Sequence, residues 1–152
     1  MATFAENYRA ADLTFDDNGI YWVNPDNNET YQVMMSWEQP IMDKMAELCV
    51  SEGDDVLEIG FGMGILSDAI QLKKPKSHTI VECHKDIIPK LKAWAKDKPN
   101  VIIIEGMWME MTAEYKKYDA IIQDTYGDEY RHALRPIVER HAKATCKVSY
   151  WN

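Results

Sequence analysis

The sequence lacks long apolar runs and a cysteine framework, and we expect no signal peptide. No stretch approaches the roughly 20 apolar residues that a membrane span needs, and the first twenty residues carry charged side chains rather than an apolar core. Only three cysteines occur in 152 residues, and they lie far apart, at Cys49, Cys83 and Cys146. An odd, scattered set argues against a disulfide framework, so we expect reduced thiols and a cytoplasmic protein.

Positively charged residues are also fewer than negatively charged ones. The chain has 17 Lys and Arg against 25 Asp and Glu, which gives a formal net charge of -8, and it has no basic block. Such a chain has little electrostatic attraction to nucleic acid or to an anionic membrane, so we expect neither as a partner. The excess of acidic residues leaves room for a small or cationic substrate. The histidines His84, His132 and His141 lack the spacing of metal ligands, so no metal is expected.

The length and pattern predict a single domain over residues 1–152, with an irregular segment at 1–31 before an α/β core at 32–152. Inside the segment, Leu13–Phe15 and Ile20–Val23 flank a turn sequence and predict a short hairpin. From Met34 to Leu48, apolar residues recur every three or four positions. This spacing predicts an amphipathic helix, with Pro40 either kinking it or marking its first turn.

Beyond residue 54, short apolar strands alternate with helices. The predicted strands are Asp55–Ile59, Thr79–Val81, Val101–Ile104, Tyr118–Gln123 and Lys147–Trp151, and the predicted helices are Ile65–Leu72, Asp86–Lys96 and Tyr130–His141. This alternation predicts βαβ units and therefore a doubly wound α/β fold with a parallel sheet of about five strands. Ligands of such sheets bind at the carboxyl ends of the strands.

The strongest local motif follows the first of these strands. Gly60-Phe61-Gly62-Met63-Gly64 permits a sharp turn and leaves space for a ligand against the backbone. Glu82 ends the next strand, 82 − 60 = 22 residues after Gly60, where a carboxylate can accept both hydroxyls of a ribose. Together these features predict an adenosine ligand. The third glycine comes one position too early for the dinucleotide fingerprint, so a nicotinamide-dependent oxidoreductase is the weaker alternative.

The G-x-G-x-G motif after an acidic strand end resembles motif I of class I methyltransferases, which bind S-adenosylmethionine. A narrower resemblance rests on five segments in a fixed order. They are Val33–Pro40, Glu58–Met63, Val81–Cys83, Glu105–Trp108 and Asp124–Tyr126. Over roughly residues 30–126 the chain thereby resembles guanidinoacetate N-methyltransferase and its arginine-methylating relatives. The resemblance implies the Rossmann-like fold of class I methyltransferases.

The resemblance also implies a set of cofactor-binding residues for S-adenosylmethionine. They are Met34, Met42, Gly60, Phe61, Gly62, Met63, Gly64, Ile65, Glu82, Cys83, His84, Gly106, Met107, Trp108 and Asp124. Within this set, residues 60–65 would wrap the methionyl part, and Glu82 would hold the ribose. The segment Gly106–Trp108 would flank the adenine.

Two acids, Glu38 and Asp124, would hold a guanidino group according to the same resemblance. The electrostatics support the pair, since a sulfonium and a guanidinium repel each other in a water-poor site and two carboxylates offset both charges. A protonated guanidinium is a poor nucleophile, so a carboxylate must take its proton. We predict Asp124 as proton acceptor and Glu38 as its orienting partner, in an N-methyltransferase with a small guanidino or amino acceptor such as guanidinoacetate. The alternative is a non-catalytic S-adenosylmethionine-binding module.

The carboxyl-terminal part departs from the family pattern. The family sheet has seven strands, the last two antiparallel, whereas Lys147–Trp151 resembles the fifth strand and is followed only by residue 152. We therefore expect the two antiparallel strands to be lacking. The group that holds the far end of the acceptor would then be absent, which leaves the acceptor's identity open. An exposed edge strand tends to pair, so we also expect a homo-oligomer, with this strand as one candidate interface.

Overall fold

The computed structural model describes residues 1–126 and 131–151. The helices are α1 (Phe4–Ala10), α2 (Gln39–Cys49), α3 (Ile65–Leu72), α4 (Ile88–Ala95) and α5 (Arg131–His141). The strands are β1 (Thr14–Asp16), β2 (Gly19–Asn24), β3 (Glu29–Met35), β4 (Asp55–Ile59), β5 (Ser77–Glu82), β6 (Val101–Glu105), β7 (Tyr118–Asp124) and β8 (Ala142–Trp151). Short 3-10 turns lie at Ser36–Glu38, Trp108–Glu110 and Thr112–Glu114.

The central sheet has five strands in the order β6-β5-β4-β7-β8, and every neighbouring pair is parallel. Successive residues of a strand point to opposite faces, so a sheet covered on both sides needs continuous apolar strands. In β4, Val56 packs with the cluster that contains α2, α3 and Leu91 of α4, whereas Leu57 packs with Trp108 and residues of α5. The predicted doubly wound α/β fold is confirmed.

Residues 1–35 differ from the irregular segment that we predict from the sequence. They form α1 and a three-stranded antiparallel sheet in the order β1-β2-β3. The predicted hairpin is present, with Asp16 paired to Gly19. Its turn is held by the Asp16 carboxylate, whose Oδ1 accepts the backbone N–H groups of Asn18 and Gly19 at 2.8 and 2.9 Å. The sequence does not predict the second hairpin, β2-β3, because its strands lack a clear alternation of apolar and polar residues.

The helix predicted from Met34 begins five residues later. Met34 lies in β3 opposite Ile20, and α2 starts at Gln39 with Pro40 in its first turn, where proline fits because its missing N–H has no partner to lose. Trp37 and Leu48 from the predicted apolar stripe are 63% and 59% exposed. The buried face consists of Met42, Met45, Ala46 and Cys49. The regular spacing of Met34 and Trp37 with the later residues is therefore coincidental.

The amino-terminal segment is fastened to the loop after β5. His84 donates from Nε2 to the backbone oxygen of Tyr8 at 3.0 Å. The Asp86 carboxylate accepts the backbone N–H of Leu13 at 2.9 Å. Lys85 and Asp12 form an ion pair at 2.6 Å. These contacts place α1 above the carboxyl end of β5.

Strand β8 begins five residues earlier than predicted, at Ala142, directly after α5. Within the described part of the chain it pairs with β7 alone. The predicted start of the last helix at Tyr130 lies outside the described residues. The homo-oligomer and the single-domain organisation stay predictions.

Candidate active site

A cavity lies at the carboxyl ends of the parallel strands, with about 730 Å³ of empty space including its open mouth. Its wall is built by the turns after β4, β5, β6 and β7, by the end of β3 with the turn that follows, and by α1. The lining residues are Ala5, Tyr8, Arg9, Val33, Met34, Glu38, Ile59, Gly60, Gly62, Val81, Glu82, Cys83, Ile87, Gly106, Met107, Trp108, Asp124, Thr125 and Tyr126.

The glycine turn after β4 forms the floor of this cavity. Gly60 and Gly62 have φ angles of +92° and +58°, which favour glycine. A Cβ on Gly60 would overlap the backbone carbonyl of Asp124, and a Cβ on Gly62 would come within 2.6 Å of the Met34 sulfur. The turn can therefore approach β7 and leave space above its backbone only because both positions lack side chains.

Glu82 at the end of β5 is buried beside this turn. Its Oε1 accepts the backbone N–H of Phe61 at 2.9 Å, and its Oε2 accepts the N–H groups of Cys83 and His84, both at 3.0 Å. A carboxylate offers about four acceptor positions, so Oε1 keeps one that a ligand hydroxyl can use. The fixed carboxylate and the glycine cradle fit the ribose and the amino-acid part of S-adenosylmethionine.

Asp124 lies at the end of β7 and lines the cavity together with Glu38 and Glu82. Burial raises the pKa of its carboxyl to about 8, and the nearby carboxylates of Glu38, Glu58 and Glu82 add to this rise. Without a ligand, these effects favour the protonated form of the Asp124 carboxyl. A cationic ligand in the cavity would reverse this effect, because it favours the carboxylate form.

Glu38 ends the short 3-10 turn Ser36–Glu38 between β3 and α2 and lies just before α2 rather than on it. Its Oε2 accepts the backbone N–H of Met35 at 2.7 Å, and its Oε1 accepts the indole N–H of Trp151 at 2.9 Å. Glu38 and Asp124 line the main cavity and also a second, outer cavity that Trp37 and Trp151 border. The two acids are thus brought to one place from positions 86 residues apart (124 − 38 = 86).

Most of the predicted site residues line the main cavity. These are Met34, Glu38, Gly60, Gly62, Glu82, Cys83, Gly106, Met107, Trp108 and Asp124.

The other predicted site residues lie elsewhere. Met42 is fully buried in the core, and the Phe61 ring packs against Trp94. Met63 donates its backbone N–H to the Met34 sulfur at 3.3 Å. Gly64 and Ile65 begin α3 behind the turn. His84 is fully buried and anchors α1, and burial lowers the pKa of its imidazole.

Sequence reasoning assigned no site role to several lining residues. Thr125 and Tyr126 stand in a segment that carries the resemblance, so the motif could have indicated them. No signal indicated Ala5, Tyr8 and Arg9 of α1, because their place at the cavity depends on how the amino-terminal segment docks.

Comparison with known proteins now identifies the family. Residues 19–148 match the family described as Guanidinoacetate N-methyltransferase. The chain belongs to the guanidinoacetate N-methyltransferase family. Among curated relatives in this group, it is 34% identical over 136 residues to Protein arginine N-methyltransferase 2 of Yarrowia lipolytica, which covers 82% of this chain and 28% of the relative. It is 41% identical over 113 residues to the protein of the same name from Candida glabrata, which covers 67% of this chain and 27% of the relative.

The fold agrees with this membership of the guanidinoacetate N-methyltransferase family. A crystal structure of Aeropyrum pernix fibrillarin with natively bound S-adenosyl-L-methionine matches with a TM-score of 0.60 and 13% identity, over 90% of this chain and 75% of fibrillarin. The Rossmann-like fold of class I methyltransferases is therefore confirmed. The chain spans less than a third of the length of the two curated relatives above.

The comparison corrects one prediction. A small-molecule acceptor is contradicted, because the curated relatives are named protein arginine N-methyltransferases. The net charge of the chain could not distinguish a small-molecule acceptor from a protein acceptor, since free and protein-bound guanidino groups carry the same positive charge. Within residues 1–126 and 131–151, no cluster of three or more His, Cys, Asp or Glu side chains is arranged to hold a metal. No helix in those ranges has the length and apolar character to cross a membrane.

Proposed function

We propose that this chain binds S-adenosylmethionine and methylates the guanidino group of an arginine in a protein. One observation carries the proposal: a single cavity is lined by Glu82 and the glycine turn (the cofactor end) and by Glu38 and Asp124 (the acceptor end). Glu82 and the glycine turn suit a nucleoside, whereas Glu38 and Asp124 suit a cation. Family membership favours a methyltransferase over the nicotinamide-dependent oxidoreductase, and the relatives' names favour a protein acceptor.

At the cofactor end, the acceptor position left on Glu82 Oε1 would take a ribose hydroxyl, and the backbone at Gly60 and Gly62 would lie against the methionyl part. Met107 and Trp108, which line the cavity beyond β6, would flank the adenine. S-adenosylmethionine supplies a methyl group whose bond to sulfur breaks as a bond to the acceptor nitrogen forms. The protein's task is then to position the acceptor and to stabilise charge.

At the acceptor end, Glu38 and Asp124 would hold the guanidinium through its N–H groups, whose planar arrangement matches carboxylate oxygens. Asp124 would take the proton that the nitrogen loses. A carboxyl whose pKa lies near neutrality is suited to this role, because it becomes a carboxylate beside two cations and yet remains a usable base. The residues of the outer cavity would surround the stem of the arginine side chain.

Two measurements test the proposal. Titration calorimetry should show binding of S-adenosylhomocysteine and none of NAD. A radiolabelled methyl-transfer assay should show label on an arginine-containing protein or peptide, less or none on guanidinoacetate, and none on a peptide with lysine in place of arginine.

The variant Asp124→Asn separates catalysis from binding. It should bind S-adenosylhomocysteine with an affinity within a few-fold of the parent and lose about 100-fold or more in turnover. Turnover that Asp124→Asn leaves unchanged would overturn the role of this acid. Cofactor binding without transfer to any acceptor would instead support the non-catalytic binding module.

A further inference from the structure

Trp151 connects the two acids of the acceptor end. Its backbone pairs with Asp124 in the parallel register of β7 and β8. Its side chain reaches the other acid, since the indole Nε1–H donates to Glu38 Oε1 at 2.9 Å across 113 residues of sequence. One residue therefore lies beside Asp124 in the sheet and holds Glu38 by a hydrogen bond.

The bond fixes the direction of the Glu38 carboxylate. The Met35 backbone N–H holds Oε2 at 2.7 Å, and the Trp151 indole holds Oε1. Each carboxylate oxygen accepts about two hydrogen bonds, so each keeps one acceptor position for a guanidino N–H. Without the indole, only the backbone N–H would limit rotation of the carboxylate about its terminal bond.

Trp151 also borders the outer cavity together with Glu38, Asp124 and Tyr126. An acceptor side chain that reaches both acids through this cavity passes the indole. We propose that Trp151 is a positioning residue, which orients the Glu38 carboxylate toward the guanidino group of the acceptor. This inference rests on the proposed function.

The variant Trp151→Phe tests the inference, since it keeps an aromatic ring and removes the N–H donor. We expect kcat for an arginine peptide to fall about 10-fold, because a misdirected carboxylate orients the nucleophile poorly. Affinity for that peptide in the presence of S-adenosylhomocysteine should fall as well. Affinity for S-adenosylhomocysteine alone should stay within about twofold, whereas a merely structural defect would lower it too.

Trp94→Phe is the matched control. The Trp94 indole also donates to a carboxylate, Asp68 Oδ1 at 2.8 Å, but this bond lies on the surface of α3 and α4 and outside both cavities. Its removal should leave kcat and both affinities unchanged.

A double-mutant cycle shows whether Trp151 acts through Glu38. In a Glu38→Ala background, where the indole has no carboxylate to hold, Trp151→Phe should have little further effect on turnover. An equal loss in both backgrounds would overturn the inference. Should Trp151→Phe fail to fold, Trp151→His, which retains a ring N–H donor, should keep part of the activity, and a His variant that folds but shows no activity would overturn the inference.

Failure of this inference is distinguishable from failure of the proposed function. If the parent chain transfers methyl groups to arginine and Trp151→Phe does so equally well, only the role of Trp151 is wrong. If the parent chain binds S-adenosylhomocysteine but methylates no arginine peptide, the proposed function fails, and the positioning role fails with it.

Discussion

The backbone N–H of Phe61 donates to Glu82 Oε1 at 2.9 Å, so the acid that ends β5 is tied to the glycine turn that ends β4. The two motifs that predict an adenosine ligand are thus parts of one hydrogen-bonded unit. The turn gains a fixed partner for one of its N–H groups, and the carboxylate gains a fixed direction. A change at Glu82 therefore affects the ligand and the turn together.

For Glu82→Gln we expect the affinity for S-adenosylhomocysteine to fall about 10- to 100-fold, because the amide has one acceptor oxygen and its NH₂ group faces backbone donors. Titration calorimetry measures the change. The matched control is Glu105→Gln, since Glu105 ends the neighbouring strand β6 but is exposed and pairs with Lys92 at 3.2 Å. Equal affinities of Glu82→Gln and the parent would contradict the ribose role.

Asp124→Asn should stabilise the ligand-free protein at pH 8. The native pKa of about 8 exceeds the ordinary value of 3.8, so between these values the folded chain binds a proton that the unfolded chain releases. Stability therefore falls as pH rises from about 4 to 8, and asparagine removes this loss. We expect a gain of about 1–3 kcal/mol at pH 8 and almost none at pH 4.

Thermal unfolding followed by circular dichroism at the two pH values measures this difference. Asp43→Asn, at an exposed position on α2, is the control and should show no such pH-dependent gain. A Tm difference between Asp124→Asn and the parent that is the same at pH 4 and pH 8 would show that the Asp124 carboxyl does not titrate in this range.

Binding of the cationic cofactor should release a proton at pH 7. The sulfonium of S-adenosylmethionine favours the carboxylate form of Asp124, whose pKa is raised by burial and by neighbouring acids in the empty site. We expect release of about 0.5–1 proton with S-adenosylmethionine and less with the uncharged sulfur of S-adenosylhomocysteine. Calorimetry in two buffers of different ionisation enthalpy counts the protons, and Asp124→Asn should release none.

At the opposite end of the sheet, a substitution can change the stability of the fold without changing the proposed site. Asp55 accepts the Ser77 hydroxyl at 2.6 Å and the Lys143 ammonium at 3.0 Å, and these bonds lower the pKa of its carboxyl to about 2. A lowered pKa stabilises the fold above pH 3.8, and this contribution disappears as pH falls through 2. Asp55→Asn should therefore cost about 1–2 kcal/mol at pH 7 and little near pH 2.

Urea unfolding at the two pH values measures the change at Asp55. Affinity for S-adenosylhomocysteine should stay the same, because Asp55 lies at the amino end of β4 and outside both cavities. A loss of affinity in a folded Asp55→Asn protein would contradict the assignment of function to the carboxyl ends of the strands alone.

The sequence by itself determined the central sheet and the glycine turn with Glu82. Consecutive apolar residues such as Ala120, Ile121 and Ile122 form a strand that is covered on both faces, and the alternation with helices favours a parallel, doubly wound arrangement. The glycine turn and Glu82 could be predicted because a local backbone requirement and a fixed spacing appear directly in the sequence. The same motifs carried the family resemblance.

The tertiary structure alone decided the amino-terminal sheet, the contribution of α1 to the cavity and the surroundings of Glu38. Met34 lies in β3 instead of the predicted helix because strand pairing with β2 outweighed the helical spacing of the apolar residues. Tyr8 and Arg9 line the cavity because tertiary contacts hold the segment in place. These include the bonds from His84, Lys85 and Asp86 and the ring contacts of Tyr8 with Trp22 and Tyr126. The bond from Trp151 to Glu38 joins chain positions that no local pattern relates, since it depends on how β8 packs beside β7.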